Sequence, residues 1–207
     1  MTTEDLRRGV AELARREDRF AAVVRQYGFP PMWDRAPGFA TLLHIMLEQQ
    51  VSLASARATF GQLTAITGSL TAENVLRLDD ARLRSAGLSR QKARYARAVA
   101  TAVVDGSLDL DALPVLEDAS VDAMLLAVTG IGPWTAAIYR LSALGRADAW
   151  PASDLAVVTA IADLWQLPAP PAPADTLARA EAWRPWRSVA ARLLWQQYLG
   201  KRTRPHT

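Results

Sequence analysis

The chain has 207 residues, half of them hydrophobic, so it can bury the core of one domain or of two small lobes. It contains no cysteine, which excludes disulfides, zinc–thiolate sites and iron–sulfur clusters, and its two histidines are too far apart to form a metal site unaided. With 24 Lys and Arg against 21 Asp and Glu, the formal net charge of +3 is compatible with a nucleic-acid partner but does not require one.

The N-terminal part of the chain has the periodicity of helices. Residues 1–27 predict two helices with a charged, solvated face, and Gly28-Phe29-Pro30-Pro31 ends them. The apolar pattern from 39 to 55 predicts one long helix, or two helices that meet at Gln49-Gln50. Glu48-Gln49-Gln50 interrupts this apolar surface, either as the polar end of a helix or as a long amide side chain that protrudes into a cleft.

Short amphipathic helices are predicted over residues 54–66 and 75–86, and a third runs from a Ser89 cap to Val104. Three cations stand at the start of the third helix, among them Lys92. They are consistent with contacts to phosphate groups, and equally with an exposed basic helix.

Two helical patterns then flank a Gly-x-Gly turn. Ser120 is expected to cap the first helix, Gly130 to end it in a left-handed conformation, and Pro133 to open the second helix, which stops near Gly145. Such a turn directs backbone N–H groups and a positive helix N-terminus at one spot, which is an anion site. A tight turn between helices without a ligand explains the Gly-x-Gly pattern equally well.

Asp154 is expected to cap a helix over residues 155–164, where its carboxylate accepts backbone N–H bonds. From the residues alone, a structural cap is the simpler explanation. Asp148 is a weaker candidate for chemistry because nothing places it at a helix start. Asp175 is expected to cap the helix that follows.

Several separated segments resemble, in the same order, the helix–hairpin–helix (HhH-GPD) DNA glycosylases of base-excision repair. These segments are Leu-Glu-Gln-Gln-Val-Ser (47–52), Gly-Leu-Ser-Arg-Gln-Lys (87–92), Leu-Ala-Val-Thr-Gly-Ile-Gly-Pro-Trp-Thr-Ala (126–136) and Trp-Pro-Ala-Ser-Asp-Leu-Ala-Val (150–157). Trp-Arg-Pro-Trp-Arg-Ser (183–188), together with a Trp at position 134, resembles the 3-methyladenine DNA glycosylase II branch of that family.

This resemblance implies an all-α fold of two helical lobes with a cleft between them. One lobe would comprise about residues 1–50 and 147–207, and the other about 51–146 with the hairpin at 129–133. It also implies a monomer in the cytoplasm, associated with the nucleoid, whose partner is double-stranded DNA.

The resemblance also assigns roles to residues of the second lobe and the wedge segment. Contacts to the DNA backbone would come from Gly130, Gly132, Thr135 and Lys92. Gln50 would be the wedge that enters the duplex where a nucleotide is extruded. The backbone carbonyls of Leu126, Val128 and Gly130 would hold a monovalent cation, Na⁺ or K⁺.

For the chemistry, the resemblance makes Asp154, twenty residues after Trp134, the catalytic carboxylate. Trp186, Trp134 and Trp33 would form the aromatic pocket that receives the base. Bifunctional relatives carry a lysine where Trp134 stands, so no lyase step is expected.

The expected reaction is hydrolysis of the N-glycosidic bond of an alkylated purine such as 3-methyladenine, which leaves an abasic site. The alternatives are the same fold acting on uracil or an oxidised purine, and a noncatalytic DNA-binding module.

Overall fold

A computed structural model describes residues 1–203, and all regular elements in this range are helical, which confirms the all-α prediction. The α-helices of this range are α1 (Thr3–Arg16), α2 (Asp18–Tyr27), α3 (Phe39–Glu48), α4 (Leu53–Thr67), α5 (Ala72–Leu76), α6 (Asp80–Ser85), α7 (Arg90–Val104), α8 (Asp118–Leu126), α9 (Pro133–Ser142), α10 (Leu155–Trp165), α11 (Pro173–Ala180) and α12 (Arg187–Thr203). Short 3-10 turns lie at Leu113–Val115 and Glu181–Trp183. None of the helices within residues 1–203 has both the length and the apolar character that a membrane span requires.

The chain divides into two compact units. The first comprises residues 1–34 together with the chain from 140 onward, and the second comprises residues 35–139. The sequence placed these boundaries at 50/51 and 146/147, so the expected bounds need correction. Helix α3 belongs to the second unit because its apolar face packs against α4 and α7.

Helix α12 is the central element of the first unit, where it packs against α1, α2 and α10. Its small and aliphatic residues, such as Ala190 and Leu194, are fully buried against side chains like Leu13 of α1. Phe20 and the indole of Trp183 meet edge to face at 5.2 Å in the same core. A rigid, well-filled core therefore surrounds the helix that carries the C-terminal aromatic residues.

Helices α3 and α7 form the centre of the second unit. The buried face of α3 contributes consecutive apolar residues, including Leu42, Leu43 and Met46, and α7 contributes alanines and Val99. The small residues of α7 allow its backbone to approach α3 and α5 closely.

Several helix ends lie where the sequence predicted them, and others do not. Ser89 caps α7 by accepting the N–H of Lys92, as expected. The apolar stretch from 39 to 55 is two helices that are separated at Gln49-Gln50, which confirms the second of the two alternatives. Ser52 ends the interruption by capping α4.

Three expected helix starts were wrong. Residues 75–86 form two short helices instead of one because Asp79 caps a second start by accepting the N–H of Arg82. Helix α8 begins two residues before Ser120, with Glu117 as its N-cap. Helix α11 begins at Pro173, so Asp175 lies in its first turn and not at its cap.

A half-buried histidine lies on α3. The ring of His44 stacks on Phe60 at 4.3 Å, and its Nε2 lies 3.7 Å from Oε1 of Glu48, which Arg35 binds at 2.9 Å. Burial lowers the pKa of the His44 imidazole below its usual value, although the Glu48 carboxylate opposes that effect. The folded protein therefore favours neutral His44.

We expect acid to destabilise the protein through His44. The imidazole takes up a proton more readily in the unfolded chain, so the free energy of unfolding falls as pH drops below about 6.5. Urea denaturation at pH 7.5 and 5.5 measures this loss, and His44→Gln is expected to reduce it. Equal losses in the variant and the parent protein would contradict the prediction.

Candidate active site

Asp154 is held at the start of α10 by two hydrogen bonds to one carboxylate oxygen. Its Oδ1 accepts the backbone N–H of Val157 at 3.0 Å and the indole Nε1–H of Trp195 at 3.0 Å. The predicted N-cap is therefore confirmed, and Trp195 of α12 provides a second donor. Because the side chain is only partly buried, the carboxylate is both fixed in direction and accessible to a ligand.

The ring of Trp33 packs against that of Trp195. The two ring centroids are 5.8 Å apart at an interplanar angle of 80°, an edge-to-face pair. Trp33 lies in the loop between α2 and α3 with a φ of 47°, an unusual backbone conformation for a large side chain. Both indoles are half-buried, and Trp33 packs against Trp195, which in turn binds the Asp154 carboxylate.

Sequence reasoning named Trp33 as a pocket candidate and missed Trp195. Trp195 lies 41 residues after Asp154, and the contact depends on how α10 packs against α12. The chain has seven Trp residues, and no local pattern marks the one that reaches Asp154.

Arg192 lies one turn before Trp195 and is almost completely buried. Its guanidinium donates to three backbone carbonyls, those of Met32 at 2.7 Å, Ser188 at 3.1 Å and Leu141 at 3.2 Å. Burial lowers the pKa of Arg192 to about 10, against the opposing effect of the negative charge of Asp34. The sequence analysis did not identify this residue.

The placement of Trp186 in the base pocket was wrong. Only 6% of Trp186 is exposed, and its Nε1–H donates to Glu12 of α1 at 2.8 Å. The guanidinium of Arg8 covers the ring at 5.1 Å, and a Cβ added at Gly9 would lie 2.9 Å from it. Helix α1 occupies the surface of the indole on which a base would have to stack.

Asp148 is held in ion pairs. Its carboxylate binds Arg184 at 2.5 Å and Arg187 at 2.9 Å, and Arg187 also binds Glu181. Two guanidinium groups therefore neutralise Asp148, whereas Oδ1 of Asp154 accepts hydrogen bonds from a backbone N–H and an indole N–H. The position of Asp154 at a helix start, bonded to Trp195, favours it as the residue for chemistry.

In the second unit, the turn between α8 and α9 needs its two glycines for different reasons. Gly130 has a φ of 100°, and a Cβ there would lie 2.6 Å from the Cβ of Tyr95. A Cβ at Gly132 would meet nothing within 4 Å. Gly130 therefore allows the turn to fold against α7, while Gly132 leaves open space where a ligand could approach the backbone. Ile131, between the two glycines, is buried.

The buried position of Thr135 does not support its predicted contact with DNA. It is completely buried, and its hydroxyl accepts a hydrogen bond at 2.7 Å from the amide of Gln49, which also donates to the carbonyl of Gly130 at 3.0 Å. The role of Thr135 is to hold Gln49, the last residue before Gln50. The resemblance in sequence could not reveal this, because the partner lies 86 residues away.

The predicted phosphate contact of Lys92 also needs correction. Its ammonium donates to the carbonyl of Leu47 at 2.5 Å, near the C-terminal end of α3. Burial lowers the pKa of this lysine. Lys92 therefore stabilises the end of a helix, where a cation is favoured by the helix dipole.

Gln50, the second residue after the end of α3, is exposed and has a φ of 56°. Val51 and Leu53 after it are also exposed, which makes this short segment unusually apolar for a surface. The location suits a side chain that enters a duplex, and the wedge role of Gln50 stays a prediction.

The carbonyls of Leu126, Val128 and Gly130 fit the chemistry of a monovalent cation. Val128 O accepts the N–H of Ile131 at 3.1 Å, and Gly130 O accepts the Gln49 amide, so each of these two oxygens has a second lone pair beyond that bond. Oxygen donors without formal charge suit Na⁺ or K⁺, and among residues 1–203 no cluster of three His, Asp or Glu offers a site for another metal.

An all-helical fold, a glycine hairpin between helices and a carboxylate held at the next helix start define a class of DNA repair protein. The family model for the HhH-GPD superfamily base excision DNA repair protein matches residues 43–187, and the chain belongs to this superfamily. Trp134, which is half-buried at the start of α9, lies within the matched region.

Individual relatives carry the names expected from the 3-methyladenine branch, which confirms that resemblance. The putative DNA-3-methyladenine glycosylase YfjP of Bacillus subtilis is 33% identical over 124 residues, 60% of this chain and 43% of the relative. The probable bifunctional transcriptional activator/DNA repair enzyme AlkA of Mycobacterium tuberculosis is 35% identical over 164 residues, 72% of this chain and 31% of the relative. The chain therefore spans less than half the length of these two relatives.

A solved structure covers nearly the whole chain. The 3-methyladenine DNA glycosylase of Schizosaccharomyces pombe in complex with abasic DNA superposes with a TM-score of 0.86 at 25% identity. The match covers 91% of this chain and 95% of that one. The fold is thus shared almost from end to end.

The two hairpin glycines are expected to respond differently to alanine. Gly130→Ala forces a side chain into a left-handed backbone conformation and against Tyr95, so it is expected to cost at least about 2 kcal/mol of unfolding free energy. Gly132→Ala meets open space and is expected to change that energy by less than about 1 kcal/mol. Chemical denaturation compares the two variants, and equal losses would contradict the assignment.

Proposed function

We propose that this chain is a DNA N-glycosylase that hydrolytically removes alkylated purines, such as 3-methyladenine, from double-stranded DNA. The observation that carries the proposal is the carboxylate of Asp154, fixed by the Val157 N–H and by the indole of Trp195 in a chain of this superfamily. The names of the relatives and of the S. pombe structure support the same substrate class.

The chemistry follows from the charge that develops on the sugar. As the N-glycosidic bond breaks, the base leaves with the bonding electron pair, and the deoxyribose gains oxocarbenium character. The Asp154 carboxylate stabilises this positive charge and orients a water molecule, whose oxygen bonds to C1′ while its proton passes to the carboxylate. The products are a free base and an abasic site.

The two indoles beside Asp154 suit a base that carries positive charge. An alkylated purine is electron-poor, and it is attracted to aromatic faces by roughly 0.5–2 kcal/mol. We assign this role in the first unit to Trp195 and Trp33, with Trp195 in place of Trp186. Trp134 stays a pocket candidate from the resemblance alone.

The second unit is proposed to bind DNA through its backbone. Gly132 offers an unobstructed approach at the N-terminus of α9, where phosphate is favoured, and Gln50 is the proposed wedge. A Na⁺ or K⁺ bound by the hairpin carbonyls would add positive charge at the same place. The S. pombe structure, which contains abasic DNA, supports DNA as the partner.

We infer that the abasic product is not cleaved. A lyase step needs an amine that forms a Schiff base with the sugar. Trp134 has no amine, and Lys92 donates its ammonium to the carbonyl of Leu47. After the reaction, DNA strands are expected to remain intact until alkali is added, and cleavage without alkali would overturn this inference.

Asp154→Asn is expected to abolish release of 3-methyladenine from duplex DNA while the dissociation constant for DNA stays the same. The amide keeps the shape of the side chain but loses the negative charge that stabilises the sugar. Single-turnover assays on a panel of damaged duplexes measure base release, and fluorescence anisotropy measures binding.

Asp148→Asn is the matched control for this experiment, because it removes a carboxylate that is already neutralised by Arg184 and Arg187. It is expected to lower stability and retain base release. If the parent protein binds DNA but releases no base, the chain is a noncatalytic module. Preferential release of uracil or 8-oxoguanine would indicate a different lesion.

Trp195→Phe tests the hydrogen bond that orients the carboxylate. The ring remains but the N–H is lost, and a hydrogen bond to a charged group contributes about 1.5–3 kcal/mol, so we expect the single-turnover rate to fall roughly 10- to 100-fold. Trp165→Phe is the control, since Trp165 packs against Phe20 and Trp183 instead. A Trp195→Phe variant as fast as the Trp165→Phe variant would rule out this role.

A further inference from the structure

We propose that Arg192 is a positioning residue for base selection, which acts by holding Trp33 against Trp195 through the carbonyl of Met32. The inference rests on the proposed function, because it names the residues that choose the base. Its starting observation is the bond of 2.7 Å from Arg192 Nε to Met32 O, directly before Trp33 in the chain.

The guanidinium connects a loop to a fixed framework. Two of its acceptors, the carbonyls of Ser188 and Leu141, belong to α12 and α9. The third, Met32 O, belongs to the segment between α2 and α3, which has no helix of its own. Gln196 on the next turn of α12 donates to the carbonyl of Tyr27 at 2.7 Å. Helix α12 therefore binds the chain at two points five residues apart, the last residue of α2 and Met32 in the loop.

The loop needs to be held because of the backbone of Trp33. A φ of 47° is unfavourable for a large side chain and persists only where the surroundings impose it. The bond from Arg192 fixes the peptide group that precedes Trp33. Without it, the residue is free to return to an extended conformation, and its ring would leave the edge of Trp195.

The burial of Arg192 supports a specific role. Only 1% of this residue is exposed, and an arginine that is removed from water must recover the lost hydration through hydrogen bonds. An apolar residue of the same length would fill the same space in α12 without that requirement. An apolar residue could not reproduce the three hydrogen bonds, and of these the bond to Met32 is the one that reaches the loop.

Two residues of α12 therefore have different roles. Trp195 contacts Asp154, and that hydrogen bond depends on the packing of α10 against α12. Arg192 controls the second indole, Trp33, whose ring packs against that of Trp195. Loss of Arg192 should therefore change which base is accepted more than the cleavage step itself.

The test measures selectivity between a cationic and a neutral purine. Single-turnover kcat/KM is determined for duplexes that contain 3-methyladenine or hypoxanthine, for the parent protein, Arg192→Met, Trp33→Leu and the double variant. Loss of an aromatic face should lower the ratio of the two constants by about 2- to 30-fold, the range of a cation–π contact. We expect this for both single variants.

The double variant distinguishes positioning from general damage. If Arg192 acts through Trp33, the ratio in the double variant equals that in Trp33→Leu, because no further contact remains to be lost. Multiplied effects would overturn the proposal. So would an Arg192→Met variant that slows both substrates equally and leaves the ratio at the parent value.

Arg187→Met is the matched control, since it removes another α12 arginine whose partners are Asp148 and Glu181. It is expected to keep the parent ratio. If Arg192→Met does not fold, Arg192→Lys keeps a positive charge with fewer donors and is expected to lower the ratio by a smaller factor. A parent protein that releases neither base would refute the proposed function instead, and the two failures are thus distinguishable.

Discussion

The candidate active site in the first unit depends on the position of one carboxylate oxygen. Oδ1 of Asp154 accepts a backbone N–H from its own helix and an indole N–H from α12, so the position of this oxygen depends on both α10 and α12. A cap alone fixes a side chain relative to one helix. The second donor locks the carboxylate against the packed core, which removes the rotamer freedom that an exposed aspartate would otherwise have.

This dependence explains why α12 lies at the centre of its unit. The helix is buried along most of its length against α1, α2 and α10, and its two functional side chains, Arg192 and Trp195, are separated by less than one turn. A group that stabilises developing charge must not move as the charge forms. Placing its donor on the most deeply packed helix meets that requirement without further residues.

Sequence reasoning succeeded where the cause is local. The cap at Asp154, the cap at Ser89 and the break at Gln49-Gln50 each follow from a few neighbouring residues and from backbone groups that need partners. The glycine hairpin was found for the same reason. These features sufficed for the fold class and for the superfamily.

The errors concern contacts between residues distant in the chain. Trp186 and Trp195 are both aromatic residues at the C-terminal end, and only the packing of α1 against the first of them decides which one is available to a base. The buried bond between Thr135 and Gln49 connects positions that no periodicity relates. Residue type identified candidates in these cases, but the tertiary structure assigned their partners.

The two units fix their exposed functional side chains by the same physical means. Within residues 1–203, the non-glycine residues with positive φ are Trp33, Gln50 and Gln166, and the first two are candidates for contact with DNA. Near each of these two in the chain, a backbone carbonyl accepts a hydrogen bond from a cation: Met32 O, directly before Trp33, from the buried Arg192, and Leu47 O, three residues before Gln50, from the half-buried Lys92. A left-handed backbone turns the side chain out of the path of the chain, and the cation keeps the segment from relaxing. Burial lowers the pKa of both cations, although the negative charge of Asp34 opposes that effect at Arg192. Both cations donate to backbone carbonyls, so neither of these hydrogen bonds is a surface ion pair that DNA would have to displace.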